Sequence, residues 1–369
     1  MSDSSVGVVT VSYNGLDHLR HFVSALEATS ATDPVDRLLV VNNASTDGTG
    51  EWLDTRGIET ITLGENNGFA KPNNLGIRHL ADCNFVAILN NDTAVEEGWL
   101  APLLEVLQRE PSAVMTGAVL TDWSGERLDF GGGVVSYTGH AHHLSEQEIP
   151  PRTQPARRAL FACGGAALVR RETFLSLGGF DEDFFAYFED VDFGWRAWLA
   201  GYEVWIAYGS RVRHRHQGTA SRLPFPPRMR LYERNALATV LKNYGDDTVW
   251  QACAGALLSL FARSVAYSPL DVGDFAVGGS LPPQAPPEPE SVISGSSAAQ
   301  LLAVEDIAHG WDLWMGKRAS VQALRRRPDR DILPLFGDFA VPPLLDNPAY
   351  EAAHRAVIQA LGIDEMCRE

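Results

Sequence analysis

Three stretches of this sequence hold residue types at spacings that could do chemistry. Asn90-Asn91-Asp92 closes the apolar run Phe85-Val86-Ala87-Ile88-Leu89. Such a run reads as a buried strand, and a carboxylate at the C-terminal end of a strand lies where open α/β sheets bind ligands. Asp92 is thereby placed to hold a divalent cation, although Asn-Asn-Asp-Thr also suits a turn that caps the next helix. Glu189, Asp190 and Asp192 crowd the start of an expected helix. The helix dipole favours anions there, and carboxylates so close raise one another's pKa, which suits a general base. The segment from Arg211 to Arg234 is basic inside an acidic chain, with His214 and His216 among its arginines. It is either a solvated surface or a surface for anionic ligands.

The first of these needs a sheet to carry it. Val6 to Val11 is rich in β-branched residues and ends at Ser12-Tyr13-Asn14-Gly15, a strand followed by a turn. Leu16, Leu19, Phe22, Val23 and Leu26 recur at three- and four-residue steps and give a helix one apolar face. Leu38 to Val41 is a second strand, running into the polar cluster Asn42 to Thr49. Glu59 to Leu63 is a third, followed by the loop Glu65 to Ala70 and a helix with Pro72 in its first turn. Strands alternating with helices at this spacing imply a parallel sheet covered on both faces. Four polar loops then share one rim, at Ser12–Gly15, Asn42–Thr49, Asn66–Ala70 and Asn90–Thr93.

Later elements are a strand from Ala113 to Val119, a long polar loop from His140 to Arg158, and a strand from Leu160 to Arg170. Gly164-Gly165 in that last strand marks a bulge or a close backbone approach. His140, His142 and His143 read as exposed loop histidines in preference to metal ligands. Lys71 either contacts phosphate or is solvated at a helix start.

Thr10-Val11-Ser12-Tyr13-Asn14, Val40 to Thr49, Asn67-Gly68-Phe69-Ala70 and Leu89-Asn90-Asn91-Asp92-Thr93 resemble, in order and spacing, the nucleotide-sugar half of family 2 glycosyltransferases of the GT-A fold. Gly164-Gly165-Ala166, Gly178 to Asp181, Glu189 to Asp192 and Arg196 resemble the acceptor half, and Val212-Arg213-His214 with His216 and Gly218 resembles the metal-binding histidine segment. Tyr232-Glu233-Arg234-Asn235 is similar to a helix start found after it. The likeness runs from Val6 to Tyr244, and the chain resembles bacterial enzymes that transfer rhamnose or galactofuranose in cell-surface polysaccharide synthesis.

That resemblance implies a Rossmann-like mixed α/β sheet with helices on both faces. It divides residues 1–245 into a nucleotide-sugar half (6–120) and an acceptor half (121–245). It implies that Ser12, Tyr13, Asn14, Asn42, Asn43, Asp47, Asn67, Gly68, Lys71, Asn90 and Asn91 contact a UDP- or dTDP-sugar. Asn42 stands where the family commonly has aspartate, and its carbonyl can still accept a hydrogen bond from a pyrimidine. Asp92 and His214 would hold Mn2+ or Mg2+, since a hard cation neutralises a leaving diphosphate and imidazole is a common ligand for such ions. Asp190 would be the base, with Glu189 and Asp192 orienting it. Gly164, Gly165 and Arg196 would face the acceptor, or Arg196 would pair with Asp192 four residues away. Inversion at the sugar also comes from the resemblance.

With 369 residues, 45% hydrophobic and 21% charged, the chain has material for a large domain and a smaller appendage. Residues 246–369 read as mainly helical, with a flexible Pro/Gly/Ser-rich linker at 278–297. Thr248 to Tyr267 is apolar but broken by Arg263, and short of a roughly 20-residue membrane span, so a buried or surface-docking helix is expected. A formal charge of −17 argues against nucleic acid as a partner. Four separated cysteines suggest neither a disulfide framework nor a zinc site, and the N-terminus lacks a secretory pattern, so a cytoplasmic protein is expected. Peripheral contact with the inner membrane face would use Arg211–Arg234, Arg325–Arg327 or the apolar helix near Leu257–Phe261. Two other functions fit the same fold: a nucleotide-sugar-binding protein without transfer activity, and a nucleotidyltransferase. The second normally has a glycine-rich basic loop after the first strand, and Ser12–Gly15 is neither.

Overall fold

The computed structural model describes residues 5–143, 148–215, 224–268, 293–337, 339–340, 342 and 347–366, with the backbone alone for His143. His216, Gly218, Arg222, Cys367 and linker residues 278–292 lie outside the described residues.

The N-terminal half alternates strand and helix: β1 (Val6–Ser12), α1 (Leu16–Thr29), β2 (Arg37–Asn42), α2 (Thr49–Arg56), β3 (Glu59–Thr62), α3 (Ala70–His79) and β4 (Phe85–Leu89). These four strands are parallel, with β1 between β2 and β4. Every residue of β4 is buried, because helices cover both faces of the sheet, and this is why its sequence is apolar without alternation. On α1 the buried residues are Leu19, Phe22, Val23, Leu26 and Thr29, one stripe facing the sheet.

The chain continues through β5 (Thr93–Val95), α4 (Leu100–Arg109), β6 (Ala113–Asp122), β7 (Leu128–Phe130), β8 (Gly133–Val135), β9 (Ala141–His143), β10 (Arg157–Ala159), β11 (Ala166–Arg170), α5 (Arg171–Ser176), α6 (Glu189–Leu199) and β12 (Glu203–His214). The main sheet has the order β10-β12-β6-β11-β4-β1-β2-β3, with β5 on β12 and β7 on β6. β11 runs antiparallel to β4 and β6, which makes the sheet mixed. The strand expected from Leu160 begins only at Ala166. Gly164-Gly165 forms a turn before it, since the backbone there closes against the site.

Helices α7 (Phe225–Asn243), α8 (Val249–Ala266), α9 (Gly295–His309), α10 (Trp311–Ala323) and α11 (Pro348–Ala360) complete the chain. They are locked to α7 by polar as well as apolar contacts. Arg318 donates to Leu241 O at 2.8 Å and Tyr244 O at 2.6 Å. On α8, Arg263 pairs with Glu233 of α7, and Ser259 bonds Tyr350 Oη and His354 Nδ1 of α11. Phe336 packs edge-on against Trp195 of α6, centroids 4.7 Å apart. α8 has 18 residues and a mean hydropathy of 1.3, long and apolar enough to cross a membrane, but its buried Arg263 is paired inside the protein.

Candidate active site

The four polar loops meet at the C-terminal ends of β1, β2 and β4. Asn91 donates to Ser12 Oγ at 3.2 Å, joining the first loop to the fourth. Asn43 Nδ2 donates to Asn66 Oδ1 and Gly68 O, both at 2.9 Å, and its Oδ1 accepts from Asn67 N at 2.9 Å, joining the second to the third. Asn14, with φ of 49°, accepts from Thr46 N at 2.7 Å. Asn42 Oδ1 accepts from Ser45 N at 3.0 Å. Asp47 accepts from Leu16 N at 2.9 Å and Thr49 N at 3.2 Å; burial pushes its pKa up, but Thr49 and these amides hold it below the ordinary value. Asn43 and Asp47, expected as nucleotide contacts, therefore have side chains engaged in shaping the loops. Tyr13 is half-buried on the same rim and Lys71 is exposed.

Asp92 is 2% exposed, and neither of its carboxylate oxygens has a hydrogen-bond partner of good geometry among the described residues. A buried carboxylate left so is costly unless a cation or proton meets it. His214, at the end of β12 beside β5, sets Nε2 at 3.4 Å from Asp92 Oδ1. On the other side of the ring, Nδ1 lies 2.7 Å from Asp129 Oδ2. Burial pushes the imidazole pKa down, yet the bond to Asp129 and the charge of the nearby Asp92 lift it to about 9. Burial likewise pushes Asp92 up, and His214 holds it below the ordinary carboxylate range. An oxygen ligand and an imidazole nitrogen on one spot are a donor set that suits a manganese-like ion. Among the described residues no group of three or more His, Cys, Asp or Glu could hold a metal ion. Arg215 stands at the same mouth, its guanidinium 3.9 Å from the Trp123 ring centroid and its backbone N–H donating to Asp92 O.

The start of α6 is tied to this site through one turn. Asn90 N donates to Gly165 O at 2.9 Å, and Gly164 N donates to Asp190 Oδ2 at 3.0 Å. A Cβ on Gly165 would stand 2.9 Å from Asn90 Nδ2, and one on Gly164 3.2 Å from the Phe69 ring, so the paired glycines permit the approach. Asp190 Oδ1 accepts from Val191 N at 2.8 Å, which fixes the carboxylate at the start of α6. Glu189 beside it is buried. Burial first, then the Asp190 charge, push its pKa well above the usual value.

Asp192 and Arg196 form the ion pair expected from their four-residue spacing. Asp192 is fully buried and accepts from Arg196 Nε at 2.7 Å and Asn243 Nδ2 at 3.0 Å, with Lys242 Nζ at 2.8 Å. Burial pushes it up, but Lys242 and Arg196 hold it low. Arg196 donates its other nitrogens to Leu177 O and Gly179 O at 2.7 Å. It ties α6 to the Leu177–Gly179 turn.

Three further expectations are corrected. His140 is not exposed: it is buried between Thr138 and Glu233, with Nε2 3.1 Å from Glu233 Oε2. The basic segment is largely engaged within the protein, Arg211 with backbone carbonyls of Tyr208, Ser210 and Pro150, Arg213 with Glu96, Arg230 with Asp306 and Arg234 with Asp183 O and Phe184 O. In the second cluster Arg325 pairs with Asp329, and Arg327 donates to Gly201 O and Tyr202 O.

Some positioning residues gave little sign in the sequence. The segment before Glu189 holds Phe185, Tyr187 and Phe188 at φ of 64°, 71° and 67°. Each such non-glycine residue costs about 1–3 kcal/mol and persists only where its surroundings over-determine it. Asn235 Nδ2 does this, reaching Phe184 O at 3.0 Å, Ala186 O at 2.9 Å and Tyr187 O at 2.8 Å. Phe69 N donates to Phe185 O at 2.6 Å, and Gly68, at φ of 73°, lies so close that a Cβ would come within 2.2 Å of that oxygen. Asp129 was likewise unmarked, in a stretch with no evident motif.

Residues 7–178 match the glycosyl transferase family 2 model. The N-acetylglucosaminyl-diphospho-decaprenol L-rhamnosyltransferase of Mycobacterium tuberculosis is 28% identical over 237 residues, covering 58% of this chain and 76% of that protein. The O-antigen biosynthesis protein RfbC of Myxococcus xanthus is 31% identical over 218 residues, 56% of this chain but only 17% of its own length. Among solved structures, GalNAc-T7 with UDP, GalNAc and Mn2+ superimposes with a TM-score of 0.53 at 15% identity, over 74% of this chain and 54% of that one. The fold is the GT-A α/β fold with added C-terminal helices, and residues 7–178 are a family 2 glycosyltransferase domain.

Proposed function

We propose that this glycosyltransferase moves a sugar, with inversion, from a UDP- or dTDP-sugar to a hydroxyl of a carbohydrate or lipid-linked acceptor in cell-surface polysaccharide or glycoconjugate synthesis. The observation that carries the reading is the bonded path Asn90–Gly165 and Gly164–Asp190, which sets one carboxylate beside the donor rim within a turn of the Asp92 loop. In this reading Asp190 takes the proton of the acceptor hydroxyl as its oxygen bonds the anomeric carbon. The bond to the nucleoside diphosphate breaks on the opposite face, and a single displacement inverts the centre. Glu189, kept protonated by burial, leaves a second negative charge off the attacking face. Asn42 and the loops braced by Asn43 and Asp47 receive the nucleoside. Asp92 and His214 would hold Mn2+ or Mg2+, which supplies Lewis-acid stabilisation of the leaving diphosphate. Arg215 on Trp123 adds a cation at the same mouth.

The mycobacterial relative's name includes rhamnose and a decaprenol diphosphate, which supports a lipid-linked acceptor here. The protein would then work peripherally at the cytoplasmic face of a membrane. Its basic segments are engaged, so the contact falls to the outer stripe of α8, where Trp250, Leu258, Phe261 and Val265 are each about half exposed. The deciding experiment incubates the protein with UDP- and dTDP-sugars, MnCl2 and saccharide or polyprenyl-diphosphate-sugar acceptors. Release of a nucleoside diphosphate with a product of inverted anomeric configuration is expected. The Asp190→Asn variant should lose about 10²–10⁴-fold in transfer while still binding donor. Pyrophosphate release, binding without turnover, or a fully active Asp190→Asn variant would overturn the assignment.

A further inference from the structure

We infer that Asp129 is a positioning residue that sets the cation affinity of the site by orienting His214. The inference rests on the reading of Asp92 and His214 as cation ligands. Its starting point is a break in the β6–β7 ladder. Leu120 pairs with Phe130 and Thr121 with Leu128, so Asp129 is the extra residue between two successive pairs. A bulge of this kind re-aims a side chain that regular alternation would send elsewhere. Leu128, Asp129 and Phe130 are all buried in consequence, at 6%, 6% and 0% exposure, where an unbulged edge strand would alternate.

The re-aimed carboxylate meets His214, which β12 delivers between β5 and β6, opposite Thr93 and Asp122. The two ring nitrogens then have different partners, Nδ1 with Asp129 Oδ2 at 2.7 Å and Nε2 toward Asp92 Oδ1 at 3.4 Å. A carboxylate can only accept, so Asp129 holds a proton on Nδ1, and Nε2 is the nitrogen directed toward the Asp92 side, where a cation would take the place of its proton. Asp129 also makes the imidazole a stronger donor to that cation. A cation held at Nε2 and Asp92 would meet an imidazole already oriented by this bond.

The test measures MnCl2 binding to the full chain in the presence of UDP, by titration calorimetry and by the spectrum of free Mn2+. Wild type, His214→Ala, Asp129→Leu and Asp129→Asn are compared, with urea midpoints as the check on folding. Asp129→Leu should weaken Mn2+ by about 10–100-fold. Asp129→Asn keeps an oxygen that accepts from Nδ1 and should recover part of that loss. UDP binding without Mn2+ should be unchanged in both. Mn2+ affinity lost on His214→Ala but kept within about twofold in Asp129→Leu would overturn the role of Asp129 alone. If Asp129→Leu does not fold, Asp129→Asn decides: affinity equal to wild type overturns the inference, and a loss smaller than that of His214→Ala supports it. A wild-type protein that binds no Mn2+ with UDP overturns the cation-site reading itself.

Discussion

Glu189 makes the start of α6 a source of pH-dependent instability, and Glu189→Gln should remove it. Burial and the neighbouring Asp190 hold the Glu189 proton well past the usual value of 4.5. Below about pH 4.5 the group is protonated in both the folded and unfolded chain and adds no pH dependence. Above it the unfolded chain releases the proton while the folded chain keeps it, so stability falls as pH rises. For one group the slope is about 1.4 kcal/mol per pH unit, continuing until the folded carboxyl ionises. Glutamine has the same shape and no titration. Above about pH 5 the stability of Glu189→Gln relative to wild type should therefore rise with pH. Any fixed difference from an unsatisfied amide shifts the whole curve without changing that slope. Urea unfolding at four pH values reads it directly, provided the m-value stays constant. Asp190→Asn, which removes the second cause of the shift, should end that slope at a lower pH than in wild type. Parallel stability curves for wild type and Glu189→Gln would refute the claim that Glu189 is held protonated.

Asn235→Ala releases the grip on three carbonyls of a loop with three positive-φ residues, and should lower stability by about 2–4 kcal/mol and reduce turnover. A urea midpoint and turnover number equal to wild type would contradict that role. Sedimentation with lipid vesicles tests the α8 stripe: pelleting should survive high salt, because the contact is apolar, and should fall in a Trp250→Ser, Phe261→Ser double variant. Absence of lipid-dependent pelleting at any salt would end the membrane reading.

The alternation of strand and helix was legible because each element writes its own period: the α1 stripe and the unbroken apolar run of β4 are local patterns. The rim was legible for the same reason, since polar loops follow strands in order. What escaped reading depends on partners far along the chain. His140 looks like a loop histidine until Glu233, 93 residues away, is set against it. Lys242 looks like a surface lysine, yet it is buried with Asp181 and Asp192. The arginines from 211 to 234 look like a basic patch, and only the fold shows them turned to carbonyls and acids. Asp129 depends on a bulge, which shifts every side chain after it and leaves no composition of its own.

These distant pairings bear on the chemistry. Asp181 and Asp192 stand behind the carboxylates at the start of α6, and uncompensated they would oppose ionisation there. Lys242 from α7 bonds both, at 2.6 and 2.8 Å, Arg196 bonds Asp192, and Lys317 from α10 pairs with Asp181 and Asp183. Burial pushes the Asp181 pKa up, but the two lysines hold it well below the ordinary carboxylate range, so the acids are ionised and neutralised in place. Glu189 still feels Asp192, but its own burial and the Asp190 charge are the larger causes of its shift. A helix beyond residue 245 thus contributes a charge to the balance behind the site. The strained loop from Phe184 to Phe188 completes the link, because Phe185 O accepts from the donor-side Phe69 while Asn235 holds its neighbours. Movement of the Asn66–Ala70 loop on a nucleotide would therefore be felt first at the backbone that delivers Glu189 and Asp190.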